Sequence, residues 1–300
     1  MPGAVPGPLA GEDAIENAAQ GGLFRDAARR LRANRAARAS ALILIALTVL
    51  VIVGPWLSPH AYDATDWDAI SQPPTLAGQH YFGTDPLGRD LFSRTLVGGR
   101  ISLLVGIAAT LVSLLIGVTW GATAGYLGGR ADHVMMRIVD ILYALPFMFF
   151  VILLMVLFGR HLVLIFLAIG AINWLDMARI VRGQTLALKH REFVEAAEAM
   201  GASRRRVLRR HILPNLVGVV AVYATLTVPQ VILVESFLSF LGLGVQEPMT
   251  SWGALVNEGA EQMESAPWML IFPALFLSVT LFCFNFLGDG LRDALDPRSD

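Results

Sequence analysis

The sequence predicts an all-α polytopic membrane protein with six transmembrane helices and both termini in the cytoplasm. Three observations predict it. Of 300 residues, 55% belong to the apolar set AVILMFWYC and only 16% are charged, where a soluble domain carries roughly 25% charged residues. The mean hydropathy is +0.59. The apolar residues gather into six runs of about the length that crosses a bilayer, and Lys and Arg concentrate in one alternate set of the connecting segments.

Residues 1–22 contain Pro2, Pro6, Pro8 and several glycines and predict a disordered tail. Residues 23–60 predict an amphipathic helix and the first span. Leu23, Phe24, Ala27, Ala28 and Leu31 fall on one helical face, with Arg25, Arg29, Arg30 and Arg32 around it. That pattern suits a basic helix lying on the inner membrane surface. The charge-free run Ala39–Pro59 follows. It is longer than the core of a signal peptide and follows a 38-residue tail, so it reads as a retained anchor. Residues 61–100 form a polar outer loop carrying Asp63, Asp66, Asp68, Asp85 and Asp90. Within it, Gly83-Thr84-Asp85-Pro86 and Leu87-Gly88-Arg89-Asp90 look like consecutive turns.

The core, residues 101–290, holds the remaining spans: Ile101–Gly129, Ile141–Gly159, His161–Leu175, Leu216–Gln246 and Ser265–Gly288. Asp176 and Arg179 fall at the head-group level after the short fourth run. The fifth run is too long for one crossing. Pro229, Gly242 and Gly244 suggest a helix followed by a re-entrant or surface piece, which leaves five or seven as the alternative count. A cytoplasmic loop covers 176–215 and a tail covers 291–300. With this topology nineteen Lys and Arg lie on the side of the termini and four on the other, which places both termini in the cytoplasm. Trp56 and Trp268 at the outer edge and Trp174 near the inner edge agree.

Several function classes are excluded or weakened. The six His form no zinc-binding helix pattern, and no G-x-S-x-G occurs. The single lysine, Lys189, precedes His190, so no phosphate-binding P-loop exists. If ATP powers this chain, another polypeptide binds it. Cys283 is alone and sits in an apolar run, which excludes an intramolecular disulfide. No catalytic residue, metal ligand or nucleic-acid partner is expected. Ala109, Ser113, Gly117, Gly121 and Gly125 place a small residue at every fourth position of the second span. Such a stripe lets a helix approach closely, either within the chain or from another subunit. Glu235 is the one charge well inside a span. It either faces a translocation path or sits at the outer rim beside the re-entrant piece.

Arg191–Asn215 predicts a helix over Glu192–Met200, a turn at Gly201, and a second helix capped by Ser203 that stops before Pro214. Ala196, Ala197 and Met200 make a smooth apolar face beside Glu195 and Glu198. In the second helix Val207, Leu208, His211 and Ile212 form one stripe, with Arg205, Arg206, Arg209 and Arg210 largely elsewhere. Two readings fit: a helix laid into a partner's cleft, or a basic surface helix attracted to anionic lipid.

Glu195-Ala196-Ala197, Gly201 and Leu213-Pro214 resemble the EAA motif of ABC importer permeases. One departure is His211, which stands where that motif has an apolar residue, with Ile212 beside it. His80–Gly106, Glu235–Val256 and Asn285–Arg298 resemble, in the same order, segments of the C-type permease subunits of dipeptide and oligopeptide importers. The resemblance implies a type I ABC importer permease fold in the bacterial inner membrane. It implies that Glu195, Ala196, Ala197, Gly201, Leu213 and Pro214 couple to two ATPase subunits or domains, which hold the ATP and Mg. It also implies a second homologous permease, an extracytoplasmic peptide-binding protein and a peptide substrate. Gln230, Glu235 and Asn285 are candidates for the substrate path or gate. Asp85, Arg89 and Asp90 are candidates for binding-protein contact, against a structural ion pair between Arg89 and Asp90. The alternatives are a related ligand such as a nickel complex, an ion-coupled carrier, or a membrane assembly protein that transports nothing.

Overall fold

The computed structural model describes residues 28–159 and 162–295. The expected tail over 1–22 and the first part of the amphipathic helix lie outside the described residues; residues 28–33 are helical. Among the described residues every named element is a helix. These are α1 (Arg35–Leu57), α2 (Leu91–Leu127), α3 (Gly129–Tyr143), α4 (Phe147–Phe158), α5 (Leu162–Lys189), α6 (Glu192–Ala199), α7 (Arg204–Val207), a π-helical turn (Leu208–Ile212), α8 (Leu213–Phe240), α9 (Trp252–Glu261) and α10 (Trp268–Leu295). Each long helix is apolar over a window sufficient to cross a bilayer. Their outward faces are strongly apolar, as Leu42, Leu115, Phe149 and Phe282 illustrate.

α2 is the centre of the bundle and touches α1, α5, α8, α9 and α10. The stripe read in the sequence faces α5 within the chain. A Cβ on Gly117 would lie 2.6 Å from the Met177 Cβ, and one on Gly125 would lie 2.8 Å from the Arg182 carbonyl. Gly121 abuts the Ala178 carbonyl. Only hydrogen fits at these positions, and the two backbones close up around them. The pairing runs 117 to 177, 121 to 178–182 and 125 to 185, so α2 and α5 point the same way. The chain must therefore return across the bundle between residues 127 and 162.

That return is α3 and α4, which bend by 80° at their junction. The sequence predicts one span over Ile141–Gly159. Instead helix ends at Tyr143, and Pro146 stands just ahead of α4. Proline has no N–H to give and restricts the residue before it, so the helix breaks there. Counting the bent pair as one crossing gives six. Even parity agrees with the contacts of the chain ends: Gly290 packs against Ala37, and Gly218 faces Leu295. Both ends of the described chain thus lie at one end of the bundle.

Helix ends depart from the hydropathy pattern for local reasons. α2 begins ten residues before the expected Ile101, because Asp90 caps it by accepting from the Ser93 amide at 2.8 Å. α5 does not stop at Leu175 but runs to Lys189, with Arg182 held to Asp132 of α3 by bonds of 2.5 and 2.6 Å. The expected stop before Pro214 is overturned. The Leu213 amide bonds back to the Leu208 carbonyl. This wider turn admits Pro214 in the first turn of α8, where its missing N–H costs little. Arg204–Phe240 is consequently one 37-residue helix. Pro229 sits inside it without ending it, and the end comes at Phe240, followed by Gly242 at φ +73°.

Candidate functional site

At the end of the bundle that holds both chain ends, α6 projects from α5. Val194 and Ala197 turn inward and are buried with Val207, Ile212, Leu216 and Tyr126. Glu195 and Ala196 are exposed, and Met200 is 76% exposed. The expected single apolar face is thus divided: Ala197 belongs to the core, while Ala196 and Met200 face outward. The turn after α6 satisfies its own carbonyls. The Ala202 amide donates to Ala197 and the Gly201 amide to Glu198, at 3.0 and 2.9 Å, with Gly201 at φ +83°. That conformation favours glycine. Ser203 occupies the cap position of α7, yet its side chain makes no capping bond. Ile212 fills the core position next to His211, whose ring lies 6.5 Å from Phe193. Leu213 and Pro214 are half-buried at the base of α8.

Tyr126, which no sequence motif marks, ties α6 to α2. Its hydroxyl donates to Glu198 Oε1 at 2.8 Å, and its carbonyl accepts from Lys189 Nζ at 2.8 Å. Arg204, Arg205, Arg206 and Arg209 are exposed around this projection.

At the opposite end the loop preceding α2 closes on a buried charge network. Asp85 is fully buried. Its Oδ1 accepts from the Leu87 and Arg89 amides at 2.8 and 2.9 Å, and its Oδ2 accepts from Arg89 Nε at 2.7 Å and Arg94 Nη1 at 2.6 Å. Arg94 also donates twice to Glu258 of α9, at 2.7 and 3.0 Å, and Arg89 donates to Glu247 at 2.9 Å. Burial opposes the charge on Arg89, but the bonds to Glu247 and Asp85 prevail and hold its pKa above the ordinary value. Asp90 does not pair with Arg89. It caps α2 and meets His80 Nδ1 at 2.9 Å, and His60 stacks on His80 at 4.1 Å. Asp85, Arg89 and Asp90 are therefore turned inward. Their polar groups hold the loop, and Asp63, Asp66 and Asp68 are exposed on it together with Trp67, Leu76, Tyr81 and Leu87.

The three path candidates separate. Glu235 is fully buried where α8, α2 and the start of α9 meet. It accepts from Ser239 at 2.7 Å and Ser102 at 3.2 Å, and Ser102 in turn accepts from the Trp252 amide at 3.1 Å. It is a junction at the end of α8 remote from the chain ends. Asn285 is exposed on α10, and among the described residues its side chain bonds only to the Leu281 carbonyl one turn back. Gln230 alone lines a cleft, of about 450 Å³, between α5, α8 and α10. Asp176, Tyr223 and Arg292 share that cleft, a grouping the sequence scatters over more than a hundred residues. Among the described residues no three His, Cys, Asp or Glu side chains converge on a metal position.

Comparisons with known proteins accord with this architecture. Residues 117–300 match the family model described as "Binding-protein-dependent transport system inner membrane component". Residues 22–74 match the "N-terminal TM domain of oligopeptide transport permease C". The oligopeptide transport system permease protein OppC of Haemophilus influenzae is 61% identical over 92% of this chain and 89% of its own length. The dipeptide transport system permease protein DppC of Bacillus subtilis is 50% identical over 91% of this chain and 85% of its own. A solved structure of the MetNI methionine ABC transporter in an inward-facing conformation shares the fold at TM-score 0.53 and 20% identity, covering 67% of this chain and 96% of that one. Five or six candidate crossings, a projecting helix after α5, and matches over nearly the whole length make one assignment: the chain belongs to the family of binding-protein-dependent transport system inner membrane components.

Proposed function

We propose that this chain is the transmembrane permease subunit of an ATP-driven, binding-protein-dependent importer of dipeptides or oligopeptides. It supplies half of the translocation pathway, and a second homologous permease supplies the other half. Two ATPase subunits or domains, which carry the ATP and Mg, dock on Glu195–Gly201. An extracytoplasmic binding protein delivers the peptide at the outer loop. The Lys and Arg distribution supports cytoplasmic termini in this reading, with α6 on the ATPase side. The relatives named for oligopeptide and dipeptide transport support a peptide as cargo.

The observation that carries the reading is α6. It is anchored from behind by Val194 and Ala197 and shows Glu195, Ala196 and Met200 to the outside. A short helix so held passes on a push as a rigid body. Coupling has to be mechanical, because the sequence holds no P-loop.

Glu195→Lys reverses an exposed charge and is expected to lower peptide uptake at least tenfold, with the amount of protein in the membrane unchanged. Gly201→Pro removes the amide that bonds Glu198 and forbids the positive φ. It is expected to abolish uptake and to weaken co-purification with the ATPases. Uptake of labelled trialanine in cells, with immunoblots of the membrane fraction, reads both. Wild-type uptake by the two variants would overturn the coupling role.

A further inference from the structure

The cleft between α5, α8 and α10 joins groups that no motif connects. Asp176 comes from α5, Tyr223 and Gln230 from α8, and Arg292 from the last turns of α10, with Asn173 at its margin. Its remaining wall is apolar, from Met177, Ile180 and Leu226 among others. A volume of about 450 Å³ falls in the range of small-ligand sites.

The charges in this cleft differ from the paired arginines of the outer-loop network and of α5. Arg89, Arg94, Arg179 and Arg182 each hold a carboxylate. Asp176 and Arg292 line one cleft with opposite charge, yet among the described residues they form no ion pair with each other or with a third group. Both are exposed to the cleft. The amide oxygen of Asn173 and the whole Gln230 amide also have no partner among the described residues; Asn173 uses only its Nδ2, toward the Ile169 carbonyl. An ionisable side chain on a membrane helix that faces a water-filled gap marks a path for polar cargo by default.

We propose that this cleft is a subsite for the two charged ends of a short peptide, with Asp176 receiving the ammonium group and Arg292 the carboxylate. The assignment rests on the peptide-importer reading and deepens it. A guest carrying both charges at once satisfies both residues. A simple anion would satisfy Arg292 but meet Asp176 with like charge, and a simple cation would do the reverse. A neutral apolar guest would strip water from both and replace it with nothing. The amides of Gln230 and Asn173 can bond the peptide backbone without reading its side chains, and the apolar wall accepts side chains of many shapes. The predicted selectivity is therefore for free ends rather than for sequence.

The test uses the complete transporter, purified with its partner subunits and rebuilt in liposomes with the loaded binding protein. Trialanine uptake and ATP hydrolysis are measured together. Asp176→Asn and Arg292→Gln are each expected to lower uptake per ATP hydrolysed at least tenfold, with ATPase stimulation by the loaded binding protein within twofold of wild type. Asp176→Glu and Arg292→Lys are expected to keep at least half of the uptake. Uptake within twofold of wild type in both neutral variants overturns the assignment. So does loss of uptake and ATPase stimulation together, or equal loss in the neutral and conservative variants, since either is what a merely structural role would produce. A wild-type complex that takes up no trialanine overturns the peptide-importer reading itself, and this assignment with it.

Discussion

Replacing Asp85 by alanine is expected to unfold the outer loop and deplete the protein from the membrane. The carboxylate accepts four hydrogen bonds and is fully buried. Its removal leaves Arg94, at 1% exposure, and Arg89, at 9%, as clustered cations held only by Glu247 and Glu258. Breaking a buried ion pair from one side costs about 3–5 kcal/mol, because the stranded charge keeps its desolvation penalty. The loss should be insensitive to added salt, since screening acts on exposed charges. Glu247→Gln is the contrasting case. That side chain is 65% exposed, so its loss should be barely measurable. Thermal unfolding in detergent and protease sensitivity of residues 58–90 read both variants. A melting midpoint for Asp85→Ala within about 2 °C of wild type would contradict the network's role. Replacing Asp85 and Arg94 together by leucine and methionine should recover part of the loss, because the penalty lies in the unpaired charge.

The second large effect is expected at Gly121. A side chain there meets the Ala178 carbonyl, the Arg182 amide at 3.0 Å and the Val181 Cβ at 3.0 Å. Two of these are backbone atoms and cannot swing aside. Gly121→Val should therefore drive α2 from α5 and strain the Arg182–Asp132 pair just beyond, at a cost of about 1–3 kcal/mol or more. Gly183 lies one turn away on α5 with open space where its Cβ would stand. Gly183→Ala should be neutral or raise stability by up to about 1 kcal/mol, from helix propensity alone. The pair separates close packing from a general dislike of substitution in α5. Equal melting midpoints for both variants would remove the packing argument.

What the sequence made legible follows from the range of each signal. Hydropathy sums over many residues, so the five or six candidate crossings and the small-residue stripe were readable. Helix ends depend on one or two residues. Asp90 draws α2 outward through a single cap, Pro146 splits the third crossing, and the π-helical turn lets the chain pass Pro214, a possibility that propensity alone does not suggest. In the projecting loop, helix, turn and Gly201 were legible because they are local. The division of the alanine face was not, because only the packing of Val194 and Ala197 on the bundle decides which alanine points outward. Long-range pairs were invisible. Arg94 and Glu258 are 164 positions apart, and nothing in either neighbourhood names the other. The reading of Arg89 and Asp90 as an ion pair had the right chemistry and the wrong partners. The same distance problem hides the cleft: the sequence marks Gln230 as a path residue but places Asp176 at the head-group level of a span edge.

The passage through Pro214 has a mechanical meaning. Had the helix stopped there, the basic segment would have been joined to the membrane part by a hinge, and a displacement at Arg204 would have been absorbed in the joint. Arg204–Phe240 is instead continuous helix over 37 residues, about 55 Å long at 1.5 Å per residue. A tilt of about 5° pivoting at its base swings the far tip by about 5 Å, on that length. The far tip is where Glu235 accepts from Ser239 of its own helix and from Ser102 of α2, which in turn accepts from the Trp252 amide at the start of α9. A lever built into one unbroken helix thus reaches from the segment beside α6 to the closure of the outer loop.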